Sequence, residues 1–156
     1  MSDKTILLLG GAGLVGSQIA RQIARDVRPE KIIIASLYQR EVRETIEPLK
    51  KEFPNIQFVG AWGDVFVRAD FASERRSALL QSPARRASLF DDLFGDLDET
   101  YARSRLVQLI LEHKPEIVID SITTATAISY QDVYSATIVV KQKMDALLSR
   151  IESLEQ

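Results

Sequence analysis

The sequence contains no cysteine and a single histidine among its 156 residues. The missing thiols exclude disulfides, thiolate nucleophiles and cysteine-ligated zinc, and they fit a reducing cytoplasm, where we expect the protein to reside. The one histidine, His113, cannot build a typical zinc site alone, and it falls in the last turn of a predicted helix, where a cation suits the helix dipole. Because the acidic residues between Asp91 and Glu99 also lack the spacing of a calcium loop, we predict no metal site.

Long apolar runs and a strong net charge are missing as well. No apolar run approaches the ~20 residues that span a bilayer, and the first five residues lead directly into a predicted strand, which leaves no room for a signal peptide. The net charge of −2 creates no overall field toward nucleic acid or an acidic membrane. We therefore expect neither a nucleic-acid nor a membrane partner. A length of 156 residues, 46% of them hydrophobic, predicts one domain with a core of its own.

The most informative segment that is present is KTILLLGGAGLVG, residues 4–16. Four apolar residues, Ile6 to Leu9, are typical of a strand covered on both faces, and the glycines lead into a helix from about Leu14. Gly11, Gly13 and Gly16 form GxGxxG, whereas Gly10, Gly13 and Gly16 form GxxGxxG. Glycines between a strand and a helix let backbone N–H groups approach a pyrophosphate at the positive end of the helix dipole. The pattern predicts a dinucleotide site; the alternative is a glycine-rich turn that binds nothing.

Strands and helices alternate along the rest of the chain. We predict strands at Thr5–Leu9, Lys31–Ala35, Ile56–Gly60 and Glu116–Asp120, and helices at Leu14–Arg25, Arg40–Phe53, Glu99–His113 and Val133–Ser153. This order is typical of an α/β protein with a Rossmann-like doubly wound parallel sheet, strand order 3-2-1-4, in three αβα layers. The first helix would turn Leu14, Ile19, Ile23 and Val27 inward, and Pro48 should kink or split the second.

Two features point beyond a simple four-stranded domain. The fourth strand, Ile117-Val118-Ile119, is fully apolar, and an apolar edge is usually covered. Since a full dinucleotide fold has about six strands, we expect the chain to be the N-terminal portion of a longer protein. The alternatives are a small complete domain or an oligomer that covers the edge.

Three segments together resemble the extended short-chain dehydrogenase/reductase family, the nucleotide-sugar epimerase and dehydratase group. They are the glycine run ILLLGGAGLVG, Gly63-Asp64-Val65 after the third strand, and KPEIVID at residues 114–120. The resemblance implies that the backbone around the glycines would hold the pyrophosphate. It also implies that Asp64 would accept from the adenine amino group beside the Val65 amide, and that Thr123 would border the cofactor. A turn or cap is the alternative role for Asp64. The predicted cofactor residues are Gly10, Gly11, Ala12, Gly13, Leu14, Val15, Gly16, Ser36, Arg40, Asp64, Val65 and Thr123.

The choice between NAD and NADP depends on the end of the second strand. An acidic residue about 20 positions after the glycines normally bonds the ribose hydroxyls of NAD, but here that position is Ser36. Ser36 could donate to a 2′-phosphate and Arg40 could pair with it, since a guanidinium binds phosphate in a fork. An exposed position in the first turn of a helix is the alternative for Arg40. The sequence favours NADP over NAD.

The family's catalytic pair is missing from this chain. The resemblance implies a Tyr-x-x-x-Lys pair, yet the residue four places after each tyrosine is Val42, Arg105, Tyr134 or Ile138, so we predict no catalytic residue here. Thr123, Thr124 and Thr126 lie where the family has a helper hydroxyl, although a hydrogen-bonded loop is the simpler interpretation. We therefore expect an NAD(P)-binding domain of a dehydrogenase- or epimerase-like oxidoreductase that is inactive by itself. The alternatives are a non-catalytic NAD(P)-binding module for regulation or assembly and a structural domain with an empty site.

Two further segments suggest interactions. Residues 66–98 form an insertion, basic in its first half and acidic in its second, which would either pack on the domain's own surface or act as a lid or docking surface. The last helix carries an apolar stripe that would either cover the sheet or, as the resemblance implies, form a homodimer interface.

Overall fold

A computed structural model of the chain describes residues 2–123 and 133–154. The chain divides into two compact units, one reaching to Ile122 and the other beginning at Thr123. The first unit contains β1 (Ser2–Leu9), α1 (Leu14–Asp26), β2 (Pro29–Ser36), α2 (Gln39–Glu52), β3 (Gln57–Trp62), a 3₁₀ helix (Ala69–Phe71), α3 (Arg76–Gln81), α4 (Pro83–Phe94), α5 (Leu97–Arg103), α6 (Arg105–His113) and β4 (Ile117–Asp120). The second unit contains α7 (Val133–Leu154). Within the described residues, no helix is long and apolar enough to cross a membrane.

The strands form one parallel sheet in the order β3-β2-β1-β4. Ile6 pairs with Ile32 on one side and Ile117 on the other, and Ile32 pairs in turn with Phe58. All four carboxyl ends therefore lie along the same edge, which is where open α/β sheets bind ligands. The predicted Rossmann-like α/β fold with order 3-2-1-4 is confirmed.

Apolar side chains cover both faces of the sheet because successive residues of a strand point to opposite sides. On one face, Leu8, Ile32 and Ile34 pack with buried residues of α1 and α2. On the other face, Leu7 and Ile33 pack with Leu109 of α6. Helices on both faces give the three αβα layers that the alternation predicted.

The inward face of α1 differs from the predicted one. Its buried residues are Gly16, Ala20 and Ala24, one per helical turn, whereas Leu14 is 87% exposed and Val27 is also exposed. Small residues let the helix backbone approach the sheet closely, and Ile19 and Ile23 pack at the flank of this contact. The prediction was wrong for Leu14 and Val27 because this contact with the sheet requires small side chains, and hydrophobicity alone does not identify them.

The structure differs from the predictions at Pro48, which does not split its helix, and at the helix predicted before β4, which is divided in two. Pro48 lies inside a continuous α2. Proline has no N–H group to donate to the carbonyl four residues earlier, but this side of the helix is exposed, so water can bind that carbonyl. The helix predicted at Glu99–His113 is two helices, because Ser104 is extended (φ −64°, ψ 131°) and its hydroxyl accepts from the Val107 amide. A serine N-cap thus starts α6 in the middle of the predicted helix.

Candidate nucleotide-binding site

The loop after β1 turns at Gly10, whose φ of +73° lies in the left-handed region that favours glycine. A Cβ on Gly10 would stand 3.0 Å from Ser121 Oγ and 3.1 Å from the Ile122 nitrogen. The Ser121 hydroxyl is held there because it donates a 2.7 Å hydrogen bond to the Leu9 carbonyl. The turn therefore lies directly against the segment that follows β4.

Two glycines of the loop and one in the first turn of α1 meet at one carbonyl oxygen, that of Gly10. The Gly13 amide donates to this oxygen at 2.9 Å. A Cβ on Gly16 would stand only 2.2 Å from the same oxygen and 2.8 Å from the Gly11 Cα. The first turn of α1 can rest on the loop only because Gly16 has no side chain. The three residues of the GxxGxxG pattern, Gly10, Gly13 and Gly16, therefore share one contact, the Gly10 carbonyl oxygen. The alternative GxGxxG pattern leaves out Gly10 and so does not include this contact.

Gly11 and Ala12 join the loop to the rest of the sheet. The Gly11 amide donates to the Ala35 carbonyl of β2 at 2.9 Å, and a Cβ on Gly11 would stand 3.1 Å from Ile34 Cγ2. The partly buried Ala12 packs against the core between the sheet and α1–α2. The loop is therefore held at both β1 and β2.

The amino terminus of α1 has the character of an anion site. Gly13 is its N-cap and supplies no side-chain hydrogen bond, and the first turn contains no acidic residue. The first N–H groups of a helix have no partner within the helix, and the dipole makes them attractive to a phosphate. Leu14 and Val15, the first two residues of α1, are both exposed.

Ser36, at the carboxyl end of β2, lies beside this loop. It follows Ala35, whose carbonyl accepts from the Gly11 amide, and it points to the same face of the sheet as Ile34, whose Cγ2 would lie 3.1 Å from a Cβ on Gly11. The Arg40 side chain is 83% exposed and forms an (i, i+4) ion pair with Glu44, with 3.6 Å between Nε and Oε1. The structure therefore brings Ser36 to the glycine loop but leaves the Arg40 guanidinium in solvent.

Asp64 lies in the turn after β3, with its side chain 12% exposed. Its Oδ1 accepts from the Phe66 amide at 3.0 Å, and its Oδ2 accepts from Arg76 Nη2 at 2.6 Å. The preceding residue, Gly63, donates to the Ser36 carbonyl at 3.1 Å, which places this turn next to the end of β2. Each carboxylate oxygen has a second lone pair, so these contacts leave Asp64 acceptor capacity for a ligand. The adjacent Val65 is buried against the α6 side of the sheet.

Sequence reasoning missed Arg76 and the apolar rim of this edge. Arg76 is the first residue of α3, within the insertion, and only its basic surroundings hinted at a role. Tyr38, Trp62 and Phe66 follow or end the strands at this edge, and all three are exposed. Trp62 pairs in register with Ser36 and is the one tryptophan in the sequence, so its fluorescence reports on the candidate site.

The remaining predicted residues are three threonines that follow the first unit in sequence. Thr123 is exposed and begins the second unit. Thr124 and Thr126 lie outside the described residues. In the part of the chain that the structure describes, no three histidine, aspartate or glutamate side chains are grouped to hold a metal ion.

Comparison with known proteins adds little to this geometry. No protein-family model matches the chain. No curated protein matches it either. A solved structure, described as the X-ray structure of Pen from Bacillus thuringiensis, is similar with 15% sequence identity and a TM-score of 0.41, over 76% of this chain and 38% of that one. The fold assignment rests on the strand order and register described above.

Proposed function

We propose that the chain binds NAD(P) between β1 and α1, as the Rossmann domain of a short-chain dehydrogenase- or epimerase-like oxidoreductase. The observation that carries this proposal is the convergence of Gly10, Gly13 and Gly16 on one carbonyl oxygen beneath an uncapped helix terminus. Because Gly16 has no Cβ, the first turn of α1 stays against the loop and its free N–H groups stand beside the glycines, an arrangement that fits a pyrophosphate. The cofactor, when bound, supplies a hydride acceptor or donor.

Each part of the cofactor has candidate partners along the carboxyl edge of the sheet. The backbone of Gly11, Ala12, Leu14 and Val15 would hold the pyrophosphate through N–H groups. Ser36 would meet the adenosine ribose, since it lies beside the glycine loop. The carboxylate of Asp64, with the Val65 backbone next to it, would accept from the adenine amino group. Arg40 would have to exchange Glu44 for a 2′-phosphate, and Thr123 remains a proposed border residue.

Direct titration tests the cofactor proposal. We expect NADP or NAD to change the fluorescence of Trp62 and to raise the melting temperature, because a ligand that binds only the folded state stabilises it by about 2.7 kcal/mol at 100 times its Kd. A protein that responds to neither cofactor would instead be a structural domain with an empty site.

The cofactor preference can be reversed at Ser36. Without an acidic residue at the end of β2, we expect NADP to bind more tightly than NAD. Ser36→Asp should weaken NADP by roughly tenfold or more, because a carboxylate repels the 2′-phosphate, and should spare or improve NAD binding. Ser36→Ala, which removes the hydroxyl without adding charge, is the matched control. Tighter NAD binding by the unmodified protein would contradict the preference.

A non-catalytic NAD(P)-binding module for regulation or assembly is the second candidate. One observation fits this candidate as well as it fits an oxidoreductase domain that is inactive by itself: none of the four tyrosines is followed by lysine at the fourth position. With bound NADPH and an excess of simple aldehydes or ketones, this chain should show no oxidation of the nicotinamide. Oxidation would show that the chain holds a catalyst of its own.

The second unit supports a proposed homodimer. Val140, Met144, Leu147 and Ile151 follow one another at steps of four, three and four, and each is more than half exposed on α7. This is the spacing of a coiled-coil seam, and a second copy of α7 would bury it. We expect light scattering to report a dimer, and we expect Leu147→Asp to favour dissociation of that dimer. A monomer at all concentrations would contradict the homodimer.

The proposed setting of the protein is the cytoplasm, without nucleic-acid partners, because the sequence has no thiol to oxidise and a net charge of only −2.

A further inference from the structure

The carboxylate of Asp64 is held at both oxygens, and the two contacts come from different parts of the chain. Its Oδ1 receives the Phe66 amide within its own turn, whereas its Oδ2 receives Arg76 Nη2 at 2.6 Å from the insertion. A carboxylate held at one oxygen can still rotate about its Cβ–Cγ bond. The second contact fixes the plane of the group and so the direction of its remaining lone pairs.

Other contacts within the insertion fix the helix that carries Arg76. Leu79, one turn further along α3, is 1% exposed, and the Arg85–Glu74 ion pair joins α4 to the residues just before α3. The Ala72 carbonyl, also in the insertion, accepts from the Asp64 amide at 2.7 Å. The position of Asp64 is therefore determined from the insertion, through both its main chain and its side chain.

We propose that Arg76 is a positioning residue of the nucleotide site, which aims the Asp64 carboxylate at an exocyclic amino group of the bound base. The role rests on the NAD(P) binding proposed above. It makes the insertion part of base selection: a base that presents an amino group is accepted, and one that presents a carbonyl oxygen faces the carboxylate and is rejected. An ion pair that only stabilised the fold would not distinguish the two bases.

Base discrimination is measured by titrating NADP and its hypoxanthine counterpart, in which the amino group of adenine is replaced by a carbonyl. For the unmodified protein we expect the adenine cofactor to bind about tenfold more tightly, the effect of one hydrogen bond to a charged group. Arg76→Met should reduce this ratio to about twofold, mainly by weakening the adenine cofactor. Arg75→Met, which removes the same charge from the exposed neighbour, should leave the ratio at about tenfold.

The double variant separates positioning from simple loss of structure. Asp64→Asn should reduce the ratio as Arg76→Met does, and combining the two should reduce it no further, because both remove the same interaction. If Arg76→Met does not fold, Arg76→Lys, which keeps the charge but loses the planar fork, should give an intermediate ratio.

Each failure has its own signature. A ratio that stays at the unmodified value in the folded Arg76 variants, or tight binding of both cofactors without any discrimination, would overturn the role of Arg76 while NAD(P) binding stands. Binding of neither cofactor by the unmodified protein would overturn the proposed function itself.

Discussion

Gly16→Ala is expected to destabilise the protein by about 1–3 kcal/mol and to weaken NAD(P) binding by roughly a hundredfold or more. The added Cβ would stand 2.2 Å from the Gly10 carbonyl oxygen, so the first turn of α1 must move off the loop. The sign is informative because glycine to alanine in a helix normally stabilises by about 1 kcal/mol. A loss here must come from the contact with Gly10.

Urea unfolding and cofactor titration measure the two effects separately. Gln18→Ala, on the exposed side of the same helix, is the control and should leave both quantities near their unmodified values. Binding is compared at a temperature at which Gly16→Ala is still folded, so that lost affinity reports displaced N–H groups and not unfolding. Unmodified stability and affinity in Gly16→Ala would remove the basis for a pyrophosphate cradle in this loop.

The parts of the fold that followed from sequence are those in which one local pattern determines the outcome. Apolar runs such as Ile6–Leu9 form buried strands because a strand covered on both faces buries every residue, and the run is short and ends at glycines. The glycines predicted a tight turn between β1 and α1, and the positive φ of Gly10 forms that turn. These residues needed no knowledge of distant partners.

The errors arose where a residue depends on a partner far along the chain. The inward side of α1 could not be read from hydrophobicity, because the sheet selects for small residues at Ala20 and Ala24. Ser104 starts a helix inside an apolar pattern, and it forms an antiparallel bridge with Arg68. Arg76 contacts Asp64 across twelve positions of an insertion whose fold has no periodic signature. Contacts between residues so far apart in the chain depend on tertiary packing, which local sequence patterns do not reveal.

The insertion itself is held by an ion cluster centred on Asp92, whose side chain is 9% exposed. Arg68 donates two hydrogen bonds of 2.7 and 2.8 Å to the Asp92 carboxylate, and Arg103 of α5 donates a third of 2.6 Å. The hydrogen bond from Arg103 to Asp92 raises the pKa of the arginine. Arg68 also donates to the Ser88 carbonyl of α4 at 2.9 Å. One carboxylate thus links the segment after β3 to α4 and α5.

Asp92→Ala is therefore expected to loosen the insertion, at a cost of about 2 kcal/mol. Removing one partner of a fully buried pair costs about 3–5 kcal/mol, and the smaller value allows for solvent at Arg68 and Arg103, which are 19% and 32% exposed. Because the sheet does not contain these residues, the loss should appear as local opening, with new protease cleavage confined to about residues 66–103.

Asp91→Ala provides the comparison, since it removes the same charge from the exposed neighbour on α4 and should leave the cleavage pattern unchanged. The pair of variants decides between the two roles that the sequence allowed for the insertion. A segment packed on its own domain is resistant until Asp92 is removed, whereas a mobile lid is cleaved readily in the unmodified protein. Because Arg76 belongs to the same insertion, Asp92→Ala should also lower the discrimination between adenine and hypoxanthine cofactors. Full protease resistance in Asp92→Ala would show that the ion cluster does not hold the insertion.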